Sequence, residues 1–424
     1  MVMRIAGARV IDPDSGLDAV CDVYIAGEKI AAVGAAPSDM AIDSSLDAGG
    51  LVLSPGLIDL SVRLREPGYE YRATLESELS AAVAGGVTSV ICPPDTDPPL
   101  DEPGLVSMLR YRAKTLNLAR VYPLGALTQG LRGERLTEMA ELREAGCVAF
   151  SHGDRPLTNT SMLINALKYA ATFDFAVWLR AEDPFLAAGG VAHDGEVATR
   201  LGLAGIPASA ETVALSTLAL LARECGTRLH ICRLSTADGI AMLRRQRFDG
   251  LKASCDISVL HAHLTENDIG YFDSNYKLSP PLRSVRDRDG LLKGLADGTV
   301  DALCSDHAPV DDDGKQVPFG ESEPGASGLE LLLPLTLAWS ERNGADLSAA
   351  LAKITSAPAT ILGLSSGRIR PGAPADLCLF DPAAHWRVTR DSLRSQGKNT
   401  PYLGYEVRGR VRYTMVAGKW VYQA

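Results

Sequence analysis

The hydrophobic positions in the middle of the chain fall into eight short apolar runs that are separated by longer amphipathic stretches. The stretches, such as TLESELSAAVAGG and SAETVALSTLALLARECG, repeat apolar residues at helical spacing. The runs predict strands, and they cover residues 57–62, 87–92, 120–126, 147–151, 175–179, 228–233, 252–258 and 300–305. This alternation predicts an α/β fold, a (β/α)8 TIM-type barrel, with an open doubly wound sheet as the alternative.

Both ends of the chain have a different pattern, in which short strand-like segments are separated by Gly and Pro turns. MRIAGARVID near the start and VRGRVRYTMVAGKWVYQ near the end are examples. The two ends predict one small β-sandwich domain made of residues 1–54 and 366–424, beside a barrel domain of residues 55–365. The polar segment 309–328 is rich in Gly and Pro, so we expect it to be a mobile loop.

Composition and charge narrow the classes of partner. Hydrophobic residues make up 46% of the 424 residues and charged residues 22%, as in an ordinary globular protein. The net charge of −10 and the lack of a basic run argue against nucleic acid and against an anionic membrane. The sequence shows no signal peptide, no apolar run of about 18 residues and no C-x-x-C pair among its eight cysteines. These features predict a cytoplasmic protein with reduced cysteines.

Polar residues follow the predicted strands at the places where a barrel assembles its functional site. In this fold the functional side chains lie just beyond the carboxyl ends of the strands. The polar residues are 59–65 after strand one, His152 and Asp154 after strand four, 180–183 after strand five, Arg233 after strand six, and Asp306 and His307 after strand eight. We therefore expect one site built from these loops.

Six specific segments stand in order along nearly the whole chain. They are PGLID, LREPGYEY, NYKLSPPLR, SDHAP, VPFG and GKNTPYLG. Together they resemble the dihydroorotases, a branch of the amidohydrolase superfamily. The resemblance implies the barrel fold and, for working members, zinc-dependent hydrolysis of a cyclic amide.

The resemblance also implies which positions would bind zinc. Working members carry D-x-H-x-H-x-R-E-P-G, in which both histidines are ligands, and this chain has Ser61 and Arg63 at those positions. The strand-four aspartate aligns with His152, although a shift of register would offer Asp154 instead. Two of the implied ligands are therefore lost at strand one alone.

The histidines expected after strands five and six fall on Arg180 and Arg233, so only Asp306, which would be both a ligand and the general base, remains. A guanidinium group has no lone pair to donate and keeps its proton at ordinary pH. Three arginines also put positive charge where a dication would bind. We therefore expect no zinc cofactor, no metal-activated hydroxide and a vestigial role for Asp306.

Other histidines could in principle supply a substitute metal site. His152, Asp306 and His307 would offer three ligands to a single metal ion. The resemblance, however, implies that the histidine after the strand-eight aspartate contacts the substrate. His261 and His263 form the one remaining H-x-H pair, and we expect them to be surface or helix-cap residues.

A second set of positions is implied to bind the substrate. Those kept are Arg65, His307 and the loop 318–320, whereas Asp95 and Ser279 stand where the family has asparagines. An aspartate facing a carboxylate substrate repels it, so we expect weaker binding of dihydroorotate. Arg65 would grip the substrate carboxylate or, alternatively, form a salt bridge with Glu66 or Asp59.

The three new arginines are expected to substitute electrostatically for the lost cations. They would fill the former metal cavity and pair with acidic residues, because a buried and unpaired Asp306 would be costly. The predicted partners are Asp306, Asp59, and Glu182 or Asp183. In the alternative interpretation, the arginines simply point to solvent.

A chain that keeps its full length without the catalytic ligands is expected to serve a purpose other than turnover. The resemblance implies one in pyrimidine biosynthesis, because some bacteria carry an inactive dihydroorotase-like chain that binds the catalytic chain of aspartate transcarbamoylase. We therefore predict a non-catalytic partner of that enzyme, with a homodimer as a further option. The alternatives are a cyclic-amide hydrolase with an altered, weak or mononuclear metal site, and an anion-binding regulatory module.

Overall fold

The structure is a computed structural model that describes residues 2–37 and 40–424, and Met1, Ser38 and Asp39 of the predicted terminal domain lie outside the described residues. The strands are β1 (Val2–Asp12), β2 (Leu17–Ala26), β3 (Lys29–Val33), β4 (Ser44–Asp47), β5 (Val52–Pro55), β6 (Leu57–Asp59), β7 (Val87–Cys92), β8 (Arg120–Ala126), β9 (Ala149–Ser151), β10 (Val177–Arg180), β11 (Ala192–His193), β12 (Gly205–Ile206), β13 (Leu229–Cys232), β14 (Ala253–Ser258), β15 (Ala302–Cys304), β16 (Leu377–Arg387), β17 (Glu406–Val416) and β18 (Lys419–Gln423).

The α-helices are α1 (Leu75–Ala84), α2 (Pro103–Leu116), α3 (Met139–Ala145), α4 (Thr160–Thr172), α5 (Glu196–Leu201), α6 (Ser209–Cys225), α7 (Ala237–Phe248), α8 (Val285–Ala296), α9 (Asp312–Lys315), α10 (Leu332–Asn343), α11 (Leu347–Ala352) and α12 (Ser356–Leu362). Short 3-10 helices occupy Gln129–Leu131, Glu266–Ile269, Ser274–Tyr276 and Leu329–Leu331. Local sequence signals set the helix ends. Thr74 and Ser77 form a capping box at the start of α1, and Gly226, with φ 70°, ends α6.

The first five strands and the last three form one sheet, which confirms a separate sheet domain built from both termini. Its order is β18-β17-β16-β5-β1-β2-β3, and β4 pairs with β1 outside this path. The eight strands share one hydrogen-bonded sheet because β1 pairs with β2 on one side and with β4 and then β5 on the other. Its buried core includes Ile5, Val10, Leu53, Leu379 and Met415.

The second eight-stranded sheet is parallel and forms the predicted barrel, in the order β6-β7-β8-β9-β10-β13-β14-β15. The edge strands β6 and β15 are joined by one parallel bridge between Val62 and His307. At this seam the Arg63 N–H donates to the His307 carbonyl at 2.9 Å, and the His307 N–H donates to the Ser61 carbonyl at 3.0 Å. The barrel is therefore nearly closed, and its seam lies among the residues predicted for the site.

Apolar side chains fill the barrel interior. One buried cluster, here called the apolar cluster, contains Ile58, Leu60, Ile91, Leu124 and Trp178. Four of these residues lie on four different strands, and Leu60 follows the first of those strands. Each of the eight predicted runs overlaps a barrel strand. The first strand is three residues long instead of the predicted six, because the chain leaves the ladder before the polar positions that follow.

The segment 309–328 is partly ordered by helix α9, and its mobility remains a prediction. All eight cysteines are free thiols. Among residues 2–37 and 40–424, no helix has both the length and the apolar character that crossing a bilayer requires.

Candidate functional site

An ion-pair network occupies the mouth of the barrel, where the strands end. It joins residues that follow β6, β7, β9, β13 and β15 and residues at the end of β10. We call it the arginine cluster, and its members are Arg63, Arg180, Arg233, Asp95, Asp154, Glu182 and Asp306. The three guanidinium side chains are only 7%, 6% and 5% exposed. The interpretation that these arginines point to solvent is therefore wrong.

Asp154 lies at the centre of the arginine cluster and contacts all three arginines. One carboxylate oxygen is 2.7 Å from Nη2 of Arg63, and the other is 3.7 Å from Nη1 of Arg180. The same second oxygen also pairs with Nη2 of Arg233. Burial would raise the pKa of Asp154, but the three guanidinium groups hold that pKa well below its usual range. The carboxylate is therefore a permanent anion between three cations.

Asp306 and Asp95 complete the charge balance around the arginines. Nη1 of Arg233 donates to Asp306 at 2.9 Å, and Nη1 of Arg63 lies 3.8 Å from the same oxygen. Nε and Nη2 of Arg63 both lie 3.0 Å from Asp95. Burial raises the pKa of Asp306, and Arg233 and Arg63 oppose that effect. Asp95, predicted to face the substrate, is thus engaged by an arginine.

The chain turns sharply where it enters the cluster. Arg65, Arg233 and Asp306 have φ values of 61°, 53° and 51°, in the left-handed region that residues with a Cβ rarely adopt. Such backbone costs roughly 1–3 kcal/mol per residue and persists where surrounding contacts fix it. The ion pairs of Arg233 and Asp306 supply such contacts.

Two of the predicted partners of the arginines lie elsewhere. Asp59 is fully buried, and its Oδ1 accepts hydrogen bonds from the backbone N–H groups of Ser61 at 3.2 Å and Ser305 at 3.1 Å. Burial raises the pKa of Asp59 to about 6. Asp183 accepts from the backbone N–H groups of the loop at 185 and 186, both at 2.9 Å. The predicted pairings with Asp59 and Asp183 are therefore wrong, whereas Glu182 does pair with Arg180.

The structure resolves the choice between His152 and Asp154 after strand four. The ring of His152 is held away from the arginines by Thr128, whose hydroxyl lies 2.8 Å from Nε2, and by the carbonyl of Arg155, 2.7 Å from Nδ1. Because a carbonyl only accepts, Nδ1 carries the proton and Nε2 accepts from the hydroxyl. Burial lowers the pKa of His152. Asp154, and not His152, is the residue that enters the site.

His307 is tied into a separate buried network. Its Nε2 lies 2.5 Å from a carboxylate oxygen of Glu78 in α1, and both side chains are fully buried. The N–H of Gly328 donates to Nδ1 at 3.1 Å, and Ser395 Oγ donates to the same Glu78 oxygen at 2.7 Å. Both ring nitrogens are thus engaged. The structure does not bring His152, Asp306 and His307 together as a substitute metal site.

Arg65 lies beside the arginine cluster but outside its ion pairs. Its Nε donates to the carbonyl of Pro309 at 2.9 Å. Burial and the nearby Arg63 lower the pKa of Arg65 to about 10. Glu66 pairs with Arg112 instead and also accepts from the N–H of residue 75. The salt bridge of Arg65 with Glu66 or Asp59 is therefore wrong, and its role in anion binding remains a prediction.

His261 is buried, which corrects the prediction of a surface or cap position for it, whereas His263 is half-buried. Nε2 of His261 lies 3.1 Å from the Pro281 carbonyl, and Nε2 of His263 lies 2.8 Å from the Leu335 carbonyl. Burial lowers the pKa of each to about 4. Thr265, and neither histidine, caps the 3-10 helix that follows. Each imidazole satisfies a backbone carbonyl that the fold buries.

Some residues around the site carry no signal in the sequence. In the described parts of the chain, the one group of three potential metal ligands within 4.8 Å of one another is His230, Cys232 and Asp256. Both ring nitrogens of His230 are already engaged, since Nε2 lies 2.9 Å from Asp256 and Nδ1 lies 2.8 Å from Ser254. A strand-borne histidine looks the same in sequence whether it binds a metal or an aspartate.

The residues at the family's ligand positions do not fit a zinc ion. Arginine nitrogens have no lone pair for a metal, and Ser61, whose Oγ lies 3.5 Å from Asp306, offers only a neutral hydroxyl. Each arginine about 4 Å from a unit positive charge would repel it by about 4 kcal/mol at an effective dielectric of about 20. The four carboxylates that could attract a cation are already paired with the arginines.

Comparison with solved structures agrees with the barrel and sheet architecture. The L-hydantoinase (dihydropyrimidinase) from Arthrobacter aurescens superposes with a TM-score of 0.88 at 25% sequence identity, covering 99% of this chain and 96% of that protein. The fold is thus that of the amidohydrolases.

Sequence comparison identifies the branch. A model described as dihydro-orotase-like matches residues 50–239, and a model of the amidohydrolase family matches residues 205–421. A dihydroorotase-like protein from Pseudomonas aeruginosa is 46% identical, covering 99% of both chains, and a dihydroorotase from Geobacter sp. strain M21 is 41% identical, covering all of both. The chain belongs to the dihydroorotase-like branch of the amidohydrolase family.

Proposed function

We propose that this chain is a non-catalytic dihydroorotase homologue that supports aspartate transcarbamoylase. The observation that carries the proposal is the arginine cluster, in which Arg63, Arg180 and Arg233 stand at ligand positions and surround Asp154. A scaffold that closes its metal pocket with paired charges has lost the groups that activate water. It keeps a rigid surface on which another protein can assemble.

The lack of catalysis follows from the contacts that already engage each remaining catalytic or substrate-binding side chain. Asp306, the vestigial general base, is paired with Arg233 and is next to Arg63. A base must be within hydrogen-bond reach of the nucleophile, and Oδ1 of Asp306 is instead occupied by the guanidinium group of Arg233. His307 is bound by Glu78 and cannot turn to a substrate without breaking that pair. The vestigial substrate residues Asp95 and Ser279 contact arginines as well.

The partner follows from the resemblance of the whole chain to dihydroorotases. That resemblance implies that dihydroorotase-like chains of this branch bind the catalytic chain of aspartate transcarbamoylase. The chain aligns over its full length with a relative named dihydroorotase, which supports selection for the complete fold. A scaffold of this kind would stabilise or activate the catalytic chain of aspartate transcarbamoylase through a non-covalent complex.

The catalytic half of the proposal is tested by zinc analysis and an activity assay on the same preparation. The full chain is expressed with zinc supplied, and metal content and dihydroorotate hydrolysis are measured. We expect well under 0.1 zinc per chain and no hydrolysis above background. The Geobacter sp. dihydroorotase that is 41% identical serves as the matched control. Stoichiometric zinc together with ring opening would contradict the proposal.

The assembly half is tested by co-expression with the aspartate transcarbamoylase catalytic chain of the same organism. We expect the two chains to co-purify in a fixed ratio, and the transcarbamoylase to lose activity or assembly when this chain is omitted. A transcarbamoylase that assembles and works equally well alone would refute this half. It would leave the catalytic half standing.

A further inference from the structure

Two loops at the barrel mouth are cross-linked by buried lysines. Nζ of Lys315 donates to the Ser274 carbonyl at 2.9 Å, and Ser274 Oγ donates back to the Lys315 carbonyl at 2.6 Å. Nζ of Lys277 donates to the Gly320 carbonyl at 2.8 Å. Phe319 packs in one cluster with Ile269 between the loops. Residues 266–277 and 311–323 thus form one platform, here called the loop patch.

The loop patch presents apolar side chains to solvent. Tyr271 is 98% exposed, and Phe272 and Val317 are also exposed. Phe272 has φ 60°, a conformation that a bulky residue rarely adopts without a surrounding constraint. Exposed aromatic residues on a rigid support are typical of protein interfaces, since little side-chain entropy is lost when they bind.

The charge of the loop patch has one sign. All of its exposed charged side chains are acidic, namely Asp268, Asp273, Asp312, Asp313 and Glu321. Its two lysines are buried, and Arg390 from outside the patch pairs with one of the acids, Asp312. For the other four, the described parts of the chain supply no cationic side chain within ion-pair distance. An apolar centre with an acidic rim complements a surface that carries lysine or arginine around an apolar pocket.

The arginine cluster supports the loop patch from below. Ser279 lies two residues beyond Lys277, and its Oγ accepts from Nη1 of Arg180 at 2.7 Å. Its carbonyl accepts from Nη1 of Arg233 at 3.2 Å. The arginines that fill the former metal pocket therefore also anchor the chain that leads into the patch. A chain that does not catalyse a reaction could retain these contacts because they fix the shape of its surface.

We propose that the loop patch is the docking surface for the aspartate transcarbamoylase catalytic chain, and that it takes a face of that chain on which basic side chains surround an apolar pocket. This inference rests on the proposed function and adds the surface and the chemistry of its partner. Tyr271 fills a pocket on the partner, and the acidic rim orients the two chains. The lysine hydrogen bonds fix the loops that carry Tyr271 before binding.

The experiment compares two exposed aromatic residues on opposite ends of the barrel. Tyr271→Ala removes the centre of the patch, and Phe248→Ala, at the last residue of α7 and 92% exposed, removes an aromatic ring away from it. Binding of each full-length variant to the purified transcarbamoylase chain is measured by calorimetry. We expect Tyr271→Ala to weaken binding by about 30-fold, as for a well-packed interfacial tyrosine, and Phe248→Ala to leave it unchanged. Both variants should have the same melting temperature as the wild type.

A second variant tests the charge of the rim. Asp273→Asn should lower the association rate at low salt, and the difference from the wild type should vanish at high salt. If the wild type binds and Tyr271→Ala binds equally well, the docking surface is refuted while the proposed function stands. If Tyr271→Ala instead dissociates a dimer of this chain in sedimentation, the patch binds a second copy and the proposal is overturned. If the wild type does not bind the transcarbamoylase at all, the proposed function itself fails.

Discussion

The apolar cluster and the arginine cluster lie in the same barrel, the first fully buried and the second with buried guanidinium groups and partly exposed carboxylates, and they hold it together in different ways. The apolar cluster joins strands through contacts that have no direction, such as those of Leu124 with Ile91 and Trp178. The arginine cluster joins strand ends through charges that need specific partners. Loss of one apolar side chain removes its own contacts, whereas loss of one charge leaves the others uncompensated.

The comparison teaches why the barrel mouth is not simply lined by apolar side chains. Asp306 is a buried carboxylate, and a buried anion needs a cation beside it. In this chain arginine side chains supply the positive charge. The cluster therefore specifies one arrangement of the mouth more than it adds net stability.

The largest effect is expected from breaking the centre of the arginine cluster. Asp154→Asn keeps the shape but removes the anion between three arginines, so we expect the free energy of unfolding to fall by about 3–5 kcal/mol. Urea unfolding measures it, with Asp249→Asn, at an exposed helix end, as the matched control. A variant as stable as the control would show that the three arginines need no central anion.

Truncation of a side chain in the apolar cluster should lower the free energy of unfolding somewhat less, and a substitution of similar volume should avoid most of that loss. Leu124→Ala is expected to cost about 3 kcal/mol through lost contacts and a residual cavity, and Leu124→Met, which conserves volume, under about 1.5 kcal/mol. Urea unfolding of the three proteins at equal ionic strength gives the comparison. Equal losses for the alanine and methionine variants would mean that the site does not depend on packing.

Low pH should destabilise the arginine cluster more than the apolar cluster. The pKa of Asp154 is lowered in the folded state, so its contribution to stability is present above about pH 4 and is lost as the pH falls below that value, by at most about 1.4 kcal/mol per pH unit. His261 and His263, with pKa values of about 4, also lose stability as the pH falls from about 6.5 towards 4. Unfolding between pH 7 and 3 should therefore be steeper below pH 4 for the wild type than for Asp154→Asn. Parallel curves would contradict the assignment.

The smallest effect is expected for the zinc content of a variant in which one histidine is placed at a ligand position of the family. Arg233→His returns one imidazole, but Arg63 and Arg180 stay in the pocket and Ser61 is a poor ligand. We expect zinc content after dialysis to stay at the level of the unaltered chain. Mass spectrometry of the metal content checks it, and one zinc per chain would show that the remaining arginines do not exclude the ion.

The fold could be predicted from the sequence because the spacing of apolar residues is a local property. Each strand and helix then packs through the face that this spacing makes apolar. The runs 87–92 and 120–126 became strands with the same limits, Val87–Cys92 and Arg120–Ala126. The boundaries failed where the chain turns into the site, as after Asp59, since a run of apolar and polar residues does not reveal where the ladder ends. The composite terminal sheet followed from the likeness of the two ends.

The site could be predicted only in part, because pairing of charges depends on distances that the sequence does not contain. The arginines, Asp306 and Glu182 were identified as a cluster, but its centre was not. His152 and Asp154 are two residues apart, and Gly153, with φ 60°, turns the chain between them. The partners of His307 and Arg233 come from residues 229 and 79 positions away, a separation at which local pattern carries no information.

The single bridge between Val62 and His307 has a consequence for solubility. Strands β6 and β15 would each present an open edge if that bridge separated, and unpaired edges recruit strands from other chains. Arg63, one residue from the bridge, is tied through its side chain to Asp306 on the opposite strand end. The charges at the mouth therefore oppose separation of this edge, and we expect variants that weaken them to aggregate more readily than the wild type.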